Sequence, residues 1–190
     1  PEERVIPAPM PPDETERLAA LQACELLDTA PEPGFDDLTA LAALLADTPI
    51  ALVSLIDRER QWFKSRVGLD ACETSRDIAF CAHAILDDGP LVVPEALADA
   101  RFFDNPLVTG APRIRAYAGI PLRLPEGQRL GTLCAIDTRP RPFTAMQIEA
   151  LQRLARQVVA QIELRRARDA ALAAAQAKSQ FLATMSHEIR

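Results

Sequence analysis

Ile50-Ala51-Leu52-Val53-Ser54-Leu55-Ile56 is apolar at every position but one. Such a run reads as a central strand. Arg58-Glu59-Arg60 forms a polar turn after it, and Gln61-Trp62-Phe63-Lys64-Ser65-Arg66-Val67 reads as the returning strand. Working outward, Leu91-Val92-Val93 is a short strand closed by Pro94. The segments 114–124 and 129–137 flank Pro125-Glu126-Gly127-Gln128 and predict a hairpin. Residues 95–112 hold Asn105-Pro106 and Gly110 and read as a long loop.

Helices frame these strands. Asp13, with Glu16 three residues on, predicts a capping box and a helix to about Leu27. Leu18, Leu21 and Leu26 are its inward candidates, and Pro31 and Pro33 end it. A second helix is expected over 35–47, with Leu38, Leu41 and Leu45 as its buried stripe. A short helix covers about 78–86. Thr144 with Gln147 predicts the start of one long helix running to the end. The plan is α+β around a mostly antiparallel sheet.

Composition narrows the function. The 190 residues carry a net charge of −6, which argues against a nucleic-acid partner. No apolar run is long enough to span a membrane, and a cytoplasmic setting is expected. Pro1 in place of Met reads as an internal piece of a longer protein, with an upstream anchor still compatible. Residues 1–12 hold five prolines and read as a linker. Cys24, Cys72, Cys81 and Cys134 form no CxxC pair, and reduced thiols are the default. A redox role would need thiols paired in space, for which the chain carries no motif. Cys81-Ala82-His83 offers two ligand types without a third, a poor metal site, so no metal is expected.

Arg101, Asp104 and Asn105 on the long loop could touch a polar ligand. Arg113, Arg115, Arg123 and Arg129 would make an anion site if they shared a face. In the long helix, Ile148, Leu151, Ala155, Val158 and Ile162 follow heptad spacing. Leu182, Met185 and Ile189 form a second apolar seam, mostly one residue out of phase with the first. The break falls between Arg165 and Ala177. The second seam puts His187 at an outward f position.

Seven stretches, in order, resemble a subfamily of GAF domains found beside histidine kinase cores. They are residues 26–29 (Leu-Leu-Asp-Thr), 50–57, 60–65 (Arg-Gln-Trp-Phe-Lys-Ser), 80–85 (Phe-Cys-Ala-His-Ala-Ile), 104–108, 117–122 and 130–137. The resemblance implies a GAF fold: a six-stranded antiparallel sheet, helices on one face, and a ligand-sized pocket under loops on the other. It assigns residues 13–162 to this module. As a family, GAF modules bind small ligands such as cyclic nucleotides or tetrapyrroles, or serve in dimerisation. Trp62, Phe80, His83, Phe102, Asn105 and Tyr117 are the expected pocket residues. The ligand is unknown. A bilin-attaching member has Cys followed directly by His, and here Ala82 intervenes.

Phe181-Leu182-Ala183-Thr184-Met185-Ser186-His187-Glu188-Ile189-Arg190 resembles the H-box of sensor histidine kinases. The resemblance implies that His187 is the phospho-acceptor and that Glu188 orients its ring or takes its proton. Imidazole suits the role because it is a neutral nucleophile near pH 7. Residues 163–177 become a helical linker and 178–190 the start of the phospho-acceptor helix, coiled with that of a second copy. ATP and Mg²⁺ would come from a separate domain, and no cofactor is expected in this chain itself. The implied partners are a second copy of the chain, through its N- and C-terminal helices, and a response regulator. The alternative is a ligand-free GAF module for dimerisation and protein interaction.

Overall fold

The computed structural model describes residues 5–190. Its strands are β1 (Ile50–Ile56), β2 (Arg60–Val67), β3 (Glu73–Ser75), β4 (Leu91–Val93), β5 (Ala116–Arg123) and β6 (Arg129–Asp137). They form one six-stranded sheet in the order β3-β2-β1-β6-β5-β4, antiparallel at every join. The helices are α1 (Glu14–Ala23), α2 (Pro33–Ala46), α3 (Phe80–Ala84), α4 (Pro106–Thr109) and α5 (Ala145–Ile189). The α+β class and the GAF-type sheet expected from the sequence are therefore present.

Both faces of the sheet are covered, which is why β1 is apolar throughout. Ala51, Val53 and Leu55 point to the helix face, where they meet Phe35 and Ala42 of α2 and Leu151, Val158 and Ile162 of α5. Ile50, Leu52 and Ile56 point the other way, into a layer with Phe80, Phe102, Tyr117 and Cys134. This alternation is the two-residue period of a strand. Gly131 of β6 permits the tight join to β1, since a Cβ there would lie 1.8 Å from the Ser54 carbonyl oxygen.

Several local expectations change. Asp13 makes no side-chain cap at α1. The first-turn acid that matters is Glu14, which pairs with Arg17 and Arg76. The helix stops at Ala23 because Glu25 and Asp28 adopt positive φ. In α2 the inward residues are Phe35, Thr39, Ala42 and Ala46; Leu41 and Leu45 are exposed and Leu38 is only partly buried. Small residues face inward because α2 lies close against α5, leaving the bulkier leucines outside. The short helix expected over 78–86 is a 3-10 turn, Arg76–Ile78, followed by α3. The long loop contains α4, capped by the Asn105 side chain, which accepts from Leu107 N at 2.9 Å.

The capping box at α5 does form. Gln147 N donates to Thr144 Oγ1 at 3.1 Å, and Thr144 N donates to Gln147 Oε1 at 3.0 Å. The seam Ile148–Ile162 is not a coiled-coil seam. Leu151, Ala155, Val158 and Ile162 are buried in the domain's own core. The two stripes of α5 thus face different surfaces, and their phase difference needs no distortion of a single coiled coil.

Candidate functional site

A cavity of about 360 Å³ lies between the loop face of the sheet and the segments above it. Ile50, Leu52, Phe63 and Ile136 supply its sheet wall, and Leu69, Leu107, Pro112 and Ile114 its loop wall. A few polar groups interrupt this apolar lining: Gln61, Asp70, Thr74 and the sulfur-bearing Cys81. A mostly apolar hollow with a few placed polar groups is the usual form of a small-molecule site. Gln61 is held rigidly. Its Oε1 accepts from Ser54 Oγ at 2.9 Å, and its Nε2 donates to Thr74 Oγ1 at 2.9 Å.

None of the six expected pocket residues lines this cavity. Phe80 and Phe102 stack on each other, 3.9 Å between centroids and 9° from parallel. Tyr117 packs against Phe80 and is fully buried. These aromatics belong to the loop-face core. Trp62 belongs to the helix-face core, and Asn105 caps α4 while donating to Ile78 O at 3.0 Å. His83 lines a separate groove of about 370 Å³, with Ile6, Pro7 and Pro9 along it. Its Nε2 lies 3.2 Å from the Ile6 carbonyl oxygen, and burial lowers its pKa. Residues 6–9 of the proline-rich stretch thus lie against the domain.

The polar candidates disperse. Arg101 pairs with Asp99 at 2.7 Å, and Asp104 Oδ1 is buried without a hydrogen bond. Arg115 donates to Val108 O, whereas Arg123 and Arg129 flank Asp88 at 3.6 and 3.4 Å. The four arginines therefore make no common anion site. Among the described residues, no three His, Cys, Asp or Glu side chains cluster as metal ligands would.

Sequence reasoning missed the sulfur chemistry at the cavity floor. Cys81 Sγ and Cys134 Sγ are 3.9 Å apart. The Cys81 sulfur accepts from Tyr117 Oη at 3.2 Å and Thr132 Oγ1 at 3.1 Å. Tyr117 reaches it by lying over Gly119, where a Cβ would come within 2.1 Å of the hydroxyl. The two cysteines are 53 residues apart in sequence, so no spacing rule could have paired them.

The GAF domain family matches residues 19–162. The chain belongs to the GAF domain family. A cyclic di-GMP phosphodiesterase of Pseudomonas aeruginosa is 45% identical over 155 residues, covering 81% of this chain. The chain spans 26% of that protein's length. A solved domain described as that of a two-component sensor histidine kinase protein of Sinorhizobium meliloti superposes with a TM-score of 0.56. The two are 20% identical, over 72% of this chain and 93% of that one. The GAF domain of an Acinetobacter phosphoenolpyruvate-protein phosphotransferase gives 0.57 at 17% identity, over 83% and 97%. These structural likenesses establish the fold. The GAF domain is a sensory type of module, and this chain joins it to a long exposed helix.

The helix carries the remaining candidates. Every residue of α5 from Ala170 onward is exposed, His187 and Glu188 included. At ~1.5 Å per residue, His187 sits about 38 Å along the axis from Ile162, the last fully buried residue. Among the described residues, no helix is long and apolar enough to cross a membrane.

Proposed function

We propose that the chain is the sensory input segment of a histidine kinase. In this reading residues 13–162 sense, 163–177 relay, and 178–190 begin the phospho-acceptor helix. The observation that carries it is the continuity of α5, one 45-residue helix that starts in the GAF core and ends at the His187-Glu188 motif. Leu172, Phe181, Leu182, Met185 and Ile189 are exposed along its free part. Such apolar positions call for a partner helix, and a second copy of the chain is the simplest supplier. Leu41, Leu44 and Leu45 on α2 are exposed as well, beside the start of α5.

His187 would then receive a phosphoryl group from ATP, with Mg²⁺, held on a separate domain. Glu188 would orient the imidazole or take its proton, and a response-regulator aspartate would accept the phosphoryl group. The cavity at Gln61 and Thr74 would take a small, largely apolar ligand. The proteins would work in the cytoplasm. The 45%-identical phosphodiesterase favours a second reading, in which the same GAF module drives a cyclic-nucleotide enzyme and the exposed helix is a dimer linker. A separate alternative is a ligand-free GAF module that serves dimerisation and protein interaction.

The deciding experiment is phosphorylation of the parent protein. ATP should label wild type in an acid-labile form, and His187→Gln should abolish the label while leaving dimerisation intact. Label retained in His187→Gln would remove the phospho-acceptor from this helix.

A further inference from the structure

We propose that Cys81 and Cys134 form a hydroperoxide-oxidisable dithiol that opens into the loop-face cavity. Their sulfurs, 3.9 Å apart, need to close by about 1.9 Å to reach the disulfide length of ~2.05 Å. They stand on different elements, α3 and the middle of β6, so the bond would fasten a loop-face helix to the sheet. Cys81 lines the cavity and Cys134 lies behind it, fully buried. That order separates the thiol an oxidant meets from the thiol that resolves the product.

The surroundings favour attack by Cys81. Burial pushes its thiol up, but hydrogen bonds, chiefly from Cys134, Thr132 and Tyr117, outweigh that and bring it down to about 7. Cys134 moves the other way, held well above the ordinary value by its bond to Cys81 and by burial. Thiolate fraction governs such attack. Cys24 makes the contrast within the same chain: it too is closed off from solvent, and burial raises it. The lining of Leu69, Ala71, Leu107, Pro112 and Ile114 admits a small uncharged oxidant more readily than an ion.

The chemistry balances with a hydroperoxide as oxidant. The Cys81 thiolate attacks the terminal peroxide oxygen, and an S–O bond forms as the O–O bond breaks. The departing alkoxide or hydroxide takes a proton and leaves as alcohol or water. Cys81 is now a sulfenic acid. The Cys134 sulfur attacks Cys81, the S–O bond breaks, and the oxygen leaves as water with the Cys134 proton. Sulfur has lost two electrons and the peroxide has gained them. The dithiol is independent of which enzyme the long helix drives.

The test is mass spectrometry of the full chain after hydrogen peroxide, with free thiols alkylated on unfolding and the protein then digested. The expected product is a peptide pair joined through Cys81 and Cys134, lighter by two hydrogens and separated by dithiothreitol. With Cys134→Ser the link should vanish and dimedone should trap Cys81, at a rate at least ~10-fold above Cys24. The wild-type map needs no variant, so a misfolded substitution cannot mask the answer. If Cys81 and Cys134 stay fully alkylatable while exposed Cys72 oxidises, the proposal is overturned. Linkage of Cys81 only to Cys72 or to another chain overturns it as well.

Discussion

Glu32 ties the GAF core to the base of the long helix: its Oε2 accepts from Arg165 Nε at 2.9 Å. The same oxygen lies 2.7 Å from Lys64 Nζ, whose side chain is fully buried in β2. Lys64 also donates to Thr29 Oγ1 and the Ala30 carbonyl, so the cation is well satisfied. One carboxylate therefore serves the sheet and the long helix together. Replacing Glu32 with Ala leaves Lys64 buried without its counter-charge and removes the Nε partner of Arg165, which keeps its bonds to the Cys24 and Glu25 carbonyls. The expected loss is about 3 kcal/mol, read as a lower urea midpoint, because removing one partner strands the other. Hydrogen exchange near residue 165 should quicken more than at β6.

Glu14 sets an acid limit. Burial raises its pKa, but Arg17 and Arg76 outweigh that and lower it from 4.5 to about 2. A depressed carboxylate stabilises the fold above its unfolded value and loses that contribution as pH falls from about 4.5 towards 2. Solvent reaches part of the group, which limits the effect to about 1–2 kcal/mol. Glu14→Gln should lower stability at pH 7 and flatten the acid limb of a pH–stability curve. An acid limb identical to that of wild type would show that other carboxylates carry it.

Gly131 should tolerate no side chain. A Cβ would meet the backbone of Ser54 and Leu55 at 1.8 and 2.8 Å, so β1 and β6 would have to separate. Gly131→Ala is expected to cost about 3 kcal/mol in chemical denaturation. Gly119→Ala meets the hydroxyl and ring carbons of Tyr117 at 2.1–2.7 Å, so that fully buried ring would have to move. It should also displace Tyr117 from Cys81, which cysteine alkylation kinetics would register.

The exposed stripe of α5 predicts association. Leu182→Glu with Met185→Glu should shift the chain towards monomer in sedimentation and reduce helicity, since a long free helix draws its stability from packing. Helicity and mass unchanged by both substitutions would indicate that no helix pairs there. Inserting one residue near Ala174 turns His187 by about 100° relative to the domain and should strongly change the output of a parent kinase.

Local chemistry made much of this protein readable. A strand buried on both faces must be apolar throughout, and Ile50–Ile56 is. Thr144 and Gln147 are close enough along the chain to cap a helix without outside help, and they do. Asp13 and Glu16 carry the same signature and do not form a box: Asp13 sits at φ −99° and ψ 24°, outside the extended region that an N-cap adopts and that Thr144 occupies. In α2 three of the four leucines lie outside while Phe35, Thr39, Ala42 and Ala46 face inward, a choice made by the packing against α5 and the sheet.

Sequence alone determined strands β1, β2, β4, β5 and β6 and the capped start of α5, because these depend on neighbours a few residues away, whereas β3 and α4 were not legible in it. Tertiary structure decided which stripe of α5 meets the domain and which aromatics fill the core rather than line a cavity. It also decided which cysteines meet. Cys81 and Cys134 become neighbours only when α3 settles on the face of β6. Contacts of that range follow from how layers pack, and no spacing along the chain encodes them.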